Sequence, residues 1–296
     1  MSKEFAPLQP GEPIGVVALS GPVNPVRLDA GLEVLRAWGH PVVESSNIRR
    51  SELYLAGTDA ERVDGVREVL ESGARVIVAA RGGYGSTRIL DDLPWRILKG
   101  KRAIFVGFSD LTAVLNPLSG LGTVQIHGPM VAAGLTRPAN AERLRSLLHG
   151  ELSGGPLFRV PKRCVVREGR ASGRVIGGNL ALMIALIGTP WEPDFDGSLL
   201  FLEEVGEPLY RLDRMLTHLR ASGRLRKVKA LIGGSLRDCR PASERPGTWQ
   251  RLLLEAAPPD APVIVDLPFG HGAQNLAFPV GGVVELDTDS ATIVWN

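Results

Sequence analysis

Short apolar runs separated by amphipathic stretches dominate the first half of the chain. Residues 14–19, 41–44, 75–80, 103–107 and 123–126 read as strands. Most are apolar throughout rather than alternating, which marks strands buried on both faces. Between them, residues 28–38 carry Leu28, Leu32 and Leu35 at helical spacing before Gly39. Residues 59–72, with Val63, Val66, Val69 and Leu70 on one side, and residues 141–148 predict two more helices. Such alternation implies an α/β domain whose parallel sheet is covered by helices on both faces. Sites in open sheets of this kind gather at the carboxyl ends of the strands. Arg81-Gly82-Gly83-Tyr84-Gly85 and Gly107-Phe108-Ser109-Asp110 both fall at such ends.

The texture changes over residues 150–173, which are rich in glycine, proline and basic residues and lack a sustained period. This stretch reads as a crossing between domains with a short strand over 157–160. Beyond it the pattern predicts helices over 180–187, 210–221 and 249–256, and strands over 198–205, 229–234 and 262–267. Residues 283–286 and 291–295 predict a closing hairpin. The expected organisation is a first domain over 1–150, a linker over 151–172 and a smaller α/β domain with a mixed sheet over 173–296.

Candidate chemistry begins at Ser109. A strand over 103–107 precedes it, and a helix follows that Pro117 is expected to stop. A serine at a sharp strand-to-helix turn stands clear of the backbone, beside amide donors that can stabilise an oxyanion. The same residue could equally be an N-cap. The glycines of residues 81–85 allow close backbone approach, as an oxyanion or substrate contact or as a plain tight turn. Phosphate binding is a weaker reading, because neither G-x-G-x-x-G nor G-x-x-x-x-G-K-[ST] is completed. Glu203 and Glu204 end an apolar strand, where one carboxylate could orient a histidine or both could face solvent. His271 stands between Gly270 and Gly272, with room to face a cleft or serve as a turn residue. His127, at a strand end, reads as a site position or a turn cap. His40 and His149 sit in surface-like turns, and His218 lies on an amphipathic helix.

Composition narrows the classes. The 296 residues are 44% hydrophobic and 22% charged, ordinary for a globular chain, with a net charge of +2 that gives no cue for nucleic acid or anionic membrane. The basic residues Arg224, Arg226, Lys227 and Lys229 read as solvated surface. Two cysteines make no disulfide framework, no H-E-x-x-H or comparable cluster suggests a metal, and no cofactor is expected. No apolar run approaches a membrane span, and Met1-Ser2-Lys3-Glu4-Phe5 lacks the look of a signal peptide, so a cytoplasmic address is expected.

Taken in order, Arg81-Gly82-Gly83-Tyr84-Gly85, Gly107-Phe108-Ser109-Asp110-Leu111-Thr112 and His127-Gly128-Pro129-Met130 resemble motifs of the LD-carboxypeptidase family. So do Gly177-Gly178-Asn179-Leu180, Gly188-Thr189-Pro190-Trp191, Leu202-Glu203-Glu204-Val205-Gly206-Glu207 and Arg211-Leu212-Asp213-Arg214-Met215-Leu216. The family comprises serine peptidases, including muramoyltetrapeptide carboxypeptidases and microcin C immunity peptidases. The resemblance covers almost the whole chain and implies a flavodoxin-like N-terminal domain carrying the nucleophile and a C-terminal domain carrying the glutamate and histidine. It places the nucleophile on Ser109, the acid on Glu203 and the base on His271. The backbone amides of Asp110 and Gly83, with Gly82 beside them, would form the oxyanion and substrate-binding loop. It further implies release of terminal D-alanine from a murein tetrapeptide during cell-wall recycling, and a homodimer. Hydrolysis of a microcin-like peptidyl or aminoacyl adenylate is the rival within the family, with Trp191 as a candidate stacking wall. A non-catalytic phosphate-binding protein is the rival outside it. The chain departs from the family pattern at Glu204, often aspartate, and at Leu19, often proline.

Overall fold

Five short parallel strands build the first sheet: β1 (Ile14–Val17), β2 (Val42–Glu44), β3 (Val76–Ala79), β4 (Ile104–Gly107) and β5 (Gln125–His127). The computed structural model describes residues 5–239 and 247–296; residues 1–4, read above for a signal peptide, lie outside the described residues. The strands run in the order β2-β1-β3-β4-β5, the flavodoxin-like arrangement, with its switch point between β1 and β3. β1, β3 and β4 are buried at every position, which is why their sequences read as continuous apolar runs.

The helices of this half are α1 (Pro25–Arg36), α2 (Asp59–Glu71), α3 (Trp95–Gly100), α4 (Thr112–Gly120) and α5 (Pro138–Leu148). Asn24 caps α1 through its side chain, and Thr58 and Glu61 close a capping box on α2. α3 has too few turns to show a period. Pro117 does not stop α4 as expected, since the helix runs three residues further, to Gly120. The reason is tertiary. Asn116 donates to Thr112 O (2.9 Å) and exchanges two 2.9 Å hydrogen bonds with the Gly177 backbone, holding the buried helix through the proline.

The second sheet draws on β6 (Pro156–Arg159), β7 (Val165–Arg167), β8 (Arg170–Asn179), β9 (Leu199–Val205), β10 (Ala230–Arg237) and β11 (Val263–Ile264). After β12 (Phe278–Val280), the hairpin of β13 (Val283–Asp287) and β14 (Thr292–Trp295) completes it. The strand order is β6-β14-β13-β8-β9-β10-β11-β7, mixed as expected, with β8 to β11 parallel. α6 (Leu180–Leu186), α7 (Leu209–Ala221) and α8 (Thr248–Ala256) pack on it. The glycine- and proline-rich stretch over 150–173 thus carries β6, β7 and the start of β8.

One strand crosses over. β12 leaves the second half and pairs antiparallel with β5 at the edge of the first sheet, where its central Pro279 is tolerated. A single apolar core follows the same crossing, joining Val16, Val76 and Ile126 to Phe201, Phe269, Phe278 and Trp295. His40, expected at the surface, is buried: Glu12 O lies 2.9 Å from its Nδ1 and His149 Nε2 lies 3.2 Å from its Nε2.

Candidate active site

β4 ends at Gly107, and Ser109 opens a 3-10 turn, Ser109–Leu111, that runs into α4. Ser109 has φ = 60°, the left-handed region that a β-carbon disfavours. An N-cap residue is extended instead; here that conformation belongs to Phe108, and the Ser109 hydroxyl makes no hydrogen bond among the described residues. The turn therefore raises a free hydroxyl above the carboxyl ends of β3 and β4, at a local cost of about 1–3 kcal/mol.

The neighbouring residue holds the turn in place. Asp110 is buried, and its Oδ2 accepts from Ser20 Oγ (2.5 Å) and Ser86 N (2.8 Å), while its carbonyl accepts from Ser86 Oγ (2.7 Å). The loops after β1, β3 and β4 are thereby tied together. Gly82 lies against the serine: a β-carbon there would sit 3.1 Å from Ser109 Cβ and 3.3 Å from its Oγ. Gly82 O accepts from Gly21 N at 3.2 Å, and neither the Gly83 nor the Asp110 amide donates a hydrogen bond among the described residues. Those two N–H groups are available to a ligand.

Glu203 and Glu204 occupy consecutive positions of β9, so their side chains leave opposite faces of the sheet. Glu203 is fully buried, and its Oε2 accepts from His271 Nδ1 (2.6 Å) and from His271 N (3.2 Å). Glu204 turns to α6, accepting from Asn179 Nδ2 (2.6 Å), Ala181 N (2.8 Å) and Val205 N (2.9 Å). Burial raises the Glu204 carboxyl above its ordinary range, against the pull of those three hydrogen bonds. The two acids thus do different work, one on a histidine and one on a helix start.

The loop carrying His271 is braced from both halves. Gly270 has φ = 92°, and a β-carbon on it would sit 2.5 Å from Glu203 Oε2, so glycine is needed for space as well as conformation. Gly270 N donates to Asn275 Oδ1 (2.9 Å), and Gly272 N to Ser235 Oγ (2.8 Å). From the first half, Asn140 Oδ1 accepts from Asn275 N (3.0 Å), and Arg137 donates to the carbonyls of Gly272 (3.2 Å) and Ala273. With Nδ1 on the carboxylate, the imidazole carries its proton there when neutral and presents Nε2 as an acceptor. The His271 ring meets the Phe108 ring edge-on, centroids 4.8 Å apart, one residue from Ser109.

Both rings line a cavity of about 560 Å³ shared with Arg27, Arg137, Arg237 and Asn275. Another cavity, of about 610 Å³, lies behind the loop against Ser235, Asp266 and Gln274 and includes neither His271 nor Phe108. His127 faces neither. It is buried, stacked on Phe278 at 4.5 Å, and burial pushes its imidazole down to about 4. His218 is exposed. Among the described residues no group of three or more His, Cys, Asp or Glu is placed to hold a metal ion. The braces Asn140, Arg137, Ser235 and Asn275 were not foreseen; they are ordinary polar residues at a helix start, on strand β10 and in a loop, with no motif to single them out.

Residues 14–128 match the LD-carboxypeptidase N-terminal domain and residues 172–286 match its C-terminal domain. The chain belongs to the LD-carboxypeptidase family. A murein tetrapeptide carboxypeptidase of Pseudomonas aeruginosa is 35% identical over 94% of this chain and 95% of its own length. The crystal structure of muramoyltetrapeptide carboxypeptidase from Oxalobacter formigenes superimposes with a TM-score of 0.84 at 30% identity, covering 96% of this chain and 97% of that one. The microcin C7 self-immunity protein MccF, in complex with aspartyl sulfamoyl adenosine, aligns with a TM-score of 0.88 over 98% of each chain. At 24% identity that likeness speaks for the fold alone. The resemblance stated from the motifs and the α/β fold expected from the pattern both hold for this member of the family.

Proposed function

We propose that this chain is a serine carboxypeptidase that hydrolyses the L,D bond before the terminal D-alanine of a murein tetrapeptide. The observation that carries the proposal is the buried 2.6 Å contact between Glu203 Oε2 and His271 Nδ1, on a ring that shares a cavity wall with the residue before Ser109. In the reaction, His271 Nε2 takes the Ser109 proton as Oγ attacks the scissile carbonyl. Glu203 keeps the imidazole oriented and stabilises it when charged. The Asp110 and Gly83 amides receive the oxyanion, and His271 hands its proton to the departing D-alanine amine. Water then enters by the same route, giving its proton to His271 and releasing the acid from Ser109. The unmade Ser109–His271 hydrogen bond accords with this role, since such bonds often tighten only with substrate bound.

The relatives named for murein peptides support this substrate. Work in cell-wall recycling, a cytoplasmic address and a homodimeric assembly are part of the same proposal. The adenylate rival asked for Trp191 as a stacking wall. One face of that ring is taken by Trp95, 4.7 Å away, its Nε1 donates to Asp91 (2.9 Å), and it does not line the cavity beside His271. That observation favours the peptide.

The test is Ser109→Ala on a tetrapeptide ending in D-alanine. Turnover is expected to fall on the order of 10⁶-fold, and a serine-directed phosphonate is expected to label Ser109 in the unaltered chain. A folded variant with near-full peptidase activity would remove Ser109 from the mechanism. Faster hydrolysis of an aminoacyl sulfamoyl adenosine than of the peptide would reverse the choice of substrate.

A further inference from the structure

The cavity beside His271 is walled by three arginines, Arg27 on the first turn of α1, Arg137 at the start of α5 and Arg237 at the end of β10. No Asp or Glu among the described residues lines it. Arg137 is already committed to the carbonyls of Gly272 and Ala273. Arg27 and Arg237 are exposed and lie on opposite halves of the chain. Among the described residues the Arg27 side chain has no ion-pair partner; that of Arg237 has one, its exposed neighbour Asp238, with Nε and Oδ2 3.4 Å apart. A cavity so lined favours an anion and disfavours a neutral or cationic end group.

Resting on the serine-peptidase reading, we infer that Arg27 and Arg237 bind the free C-terminal carboxylate of the residue to be released. The chemistry fixes the neighbourhood. The histidine that protonates the leaving amine must touch that nitrogen, and the terminal carboxylate is joined to the nitrogen through a single α-carbon. The cation that reads the carboxylate therefore has to stand within a side chain's reach of the imidazole. Among the described residues, the cavity wall next to His271 meets that demand. Guanidinium suits the role, because its planar fork offers two parallel donors to the two carboxylate oxygens. Supplying one arginine from each half also means that the subsite exists only when both halves are assembled.

The experiment compares a peptide ending in D-alanine with the same peptide ending in D-alanine amide. Wild-type protein, Arg27→Gln and Arg237→Gln are assayed, kcat and KM being measured separately. The wild type is expected to prefer the free acid. Either substitution should raise KM for the acid about 10- to 100-fold, the loss of a hydrogen bond to a charged group, and bring acid and amide together. Both positions are exposed, so the variants should fold normally, which circular dichroism checks. An acid-to-amide preference unchanged in both variants overturns the carboxylate assignment and leaves the serine mechanism standing. A wild-type protein that hydrolyses neither peptide and takes up no phosphonate at Ser109 overturns the mechanism itself.

Discussion

His127 shows how far burial alone can move an imidazole. In the unfolded chain the group titrates near 6.5, while in the fold, stacked on Phe278 and sealed from water, it is held to about 4. Smaller influences oppose one another, the Glu203 carboxylate raising it and His271 lowering it. Between those two values the unfolded chain binds a proton that the folded chain refuses. Stability from this group is therefore complete above 6.5 and is lost as pH falls toward 4. From about pH 7.5 to about pH 5 the loss should be about 2 kcal/mol, measured by urea unfolding at each pH. His127→Gln should flatten that dependence by the same amount; parallel profiles would show that the imidazole contributes none of it. The sequence left this residue open between site and turn cap. Nothing local told it apart from His271, since both follow a strand and adjoin glycine. What separates them is distant in sequence: Phe278 covers one ring, and Glu203 holds the other. Ser109 was similarly open until its left-handed φ excluded the cap.

At the scale of elements, β9 was legible as a strand ending in acid, yet the division of labour between its two glutamates was not. Strand alternation sends them to opposite faces, but which face holds the histidine depends on where the loop around Gly270 returns. Glu204 secures the start of α6 with three hydrogen bonds, to Asn179, Ala181 and Val205. Glu204→Gln is expected to destabilise the fold by about 1–3 kcal/mol, since an amide cannot accept at both ends. Its kcat should change far less than that of Glu203→Gln, for which a loss of about 10⁴-fold follows from a misoriented base. Thermal melts and single-turnover rates on the two variants make the comparison; a larger catalytic loss at Glu204 would exchange the roles. Helices with full amphipathic turns were likewise legible, whereas α3 and β12 were too short to carry a period. The run of α4 through Pro117 rests on Asn116 and Gly177, residues 61 positions apart, and no local rule could supply that.

At the scale of the whole molecule, the question is whether the first 150 residues can stand alone. Their sheet presents β5 as an edge until Phe278-Pro279-Val280 pairs with it, and the core under that edge is completed by Phe201, Phe269, Phe278 and Trp295. The three phenylalanine rings pack on one another at centroid distances such as 4.8 Å for Phe201–Phe278 and 5.1 Å for Phe269–Phe278, and Trp295 meets Phe5 edge-on at 4.9 Å. Removing them would expose Val16, Val76 and Ile126 together with an unpaired strand, a combination that favours aggregation over a stable domain. Residues 1–150 expressed alone should therefore be insoluble or bind hydrophobic dyes, and coexpression with residues 151–296 should restore a soluble complex. Because the braces from Asn140 and Arg137 reach the His271 loop across the same junction, phosphonate labelling of Ser109 should return only with the complex. A soluble, cooperatively melting fragment of residues 1–150 would show that the β12 crossing is dispensable for folding. Labelling of that fragment at the intact rate would show that activation of Ser109 needs nothing from the second half.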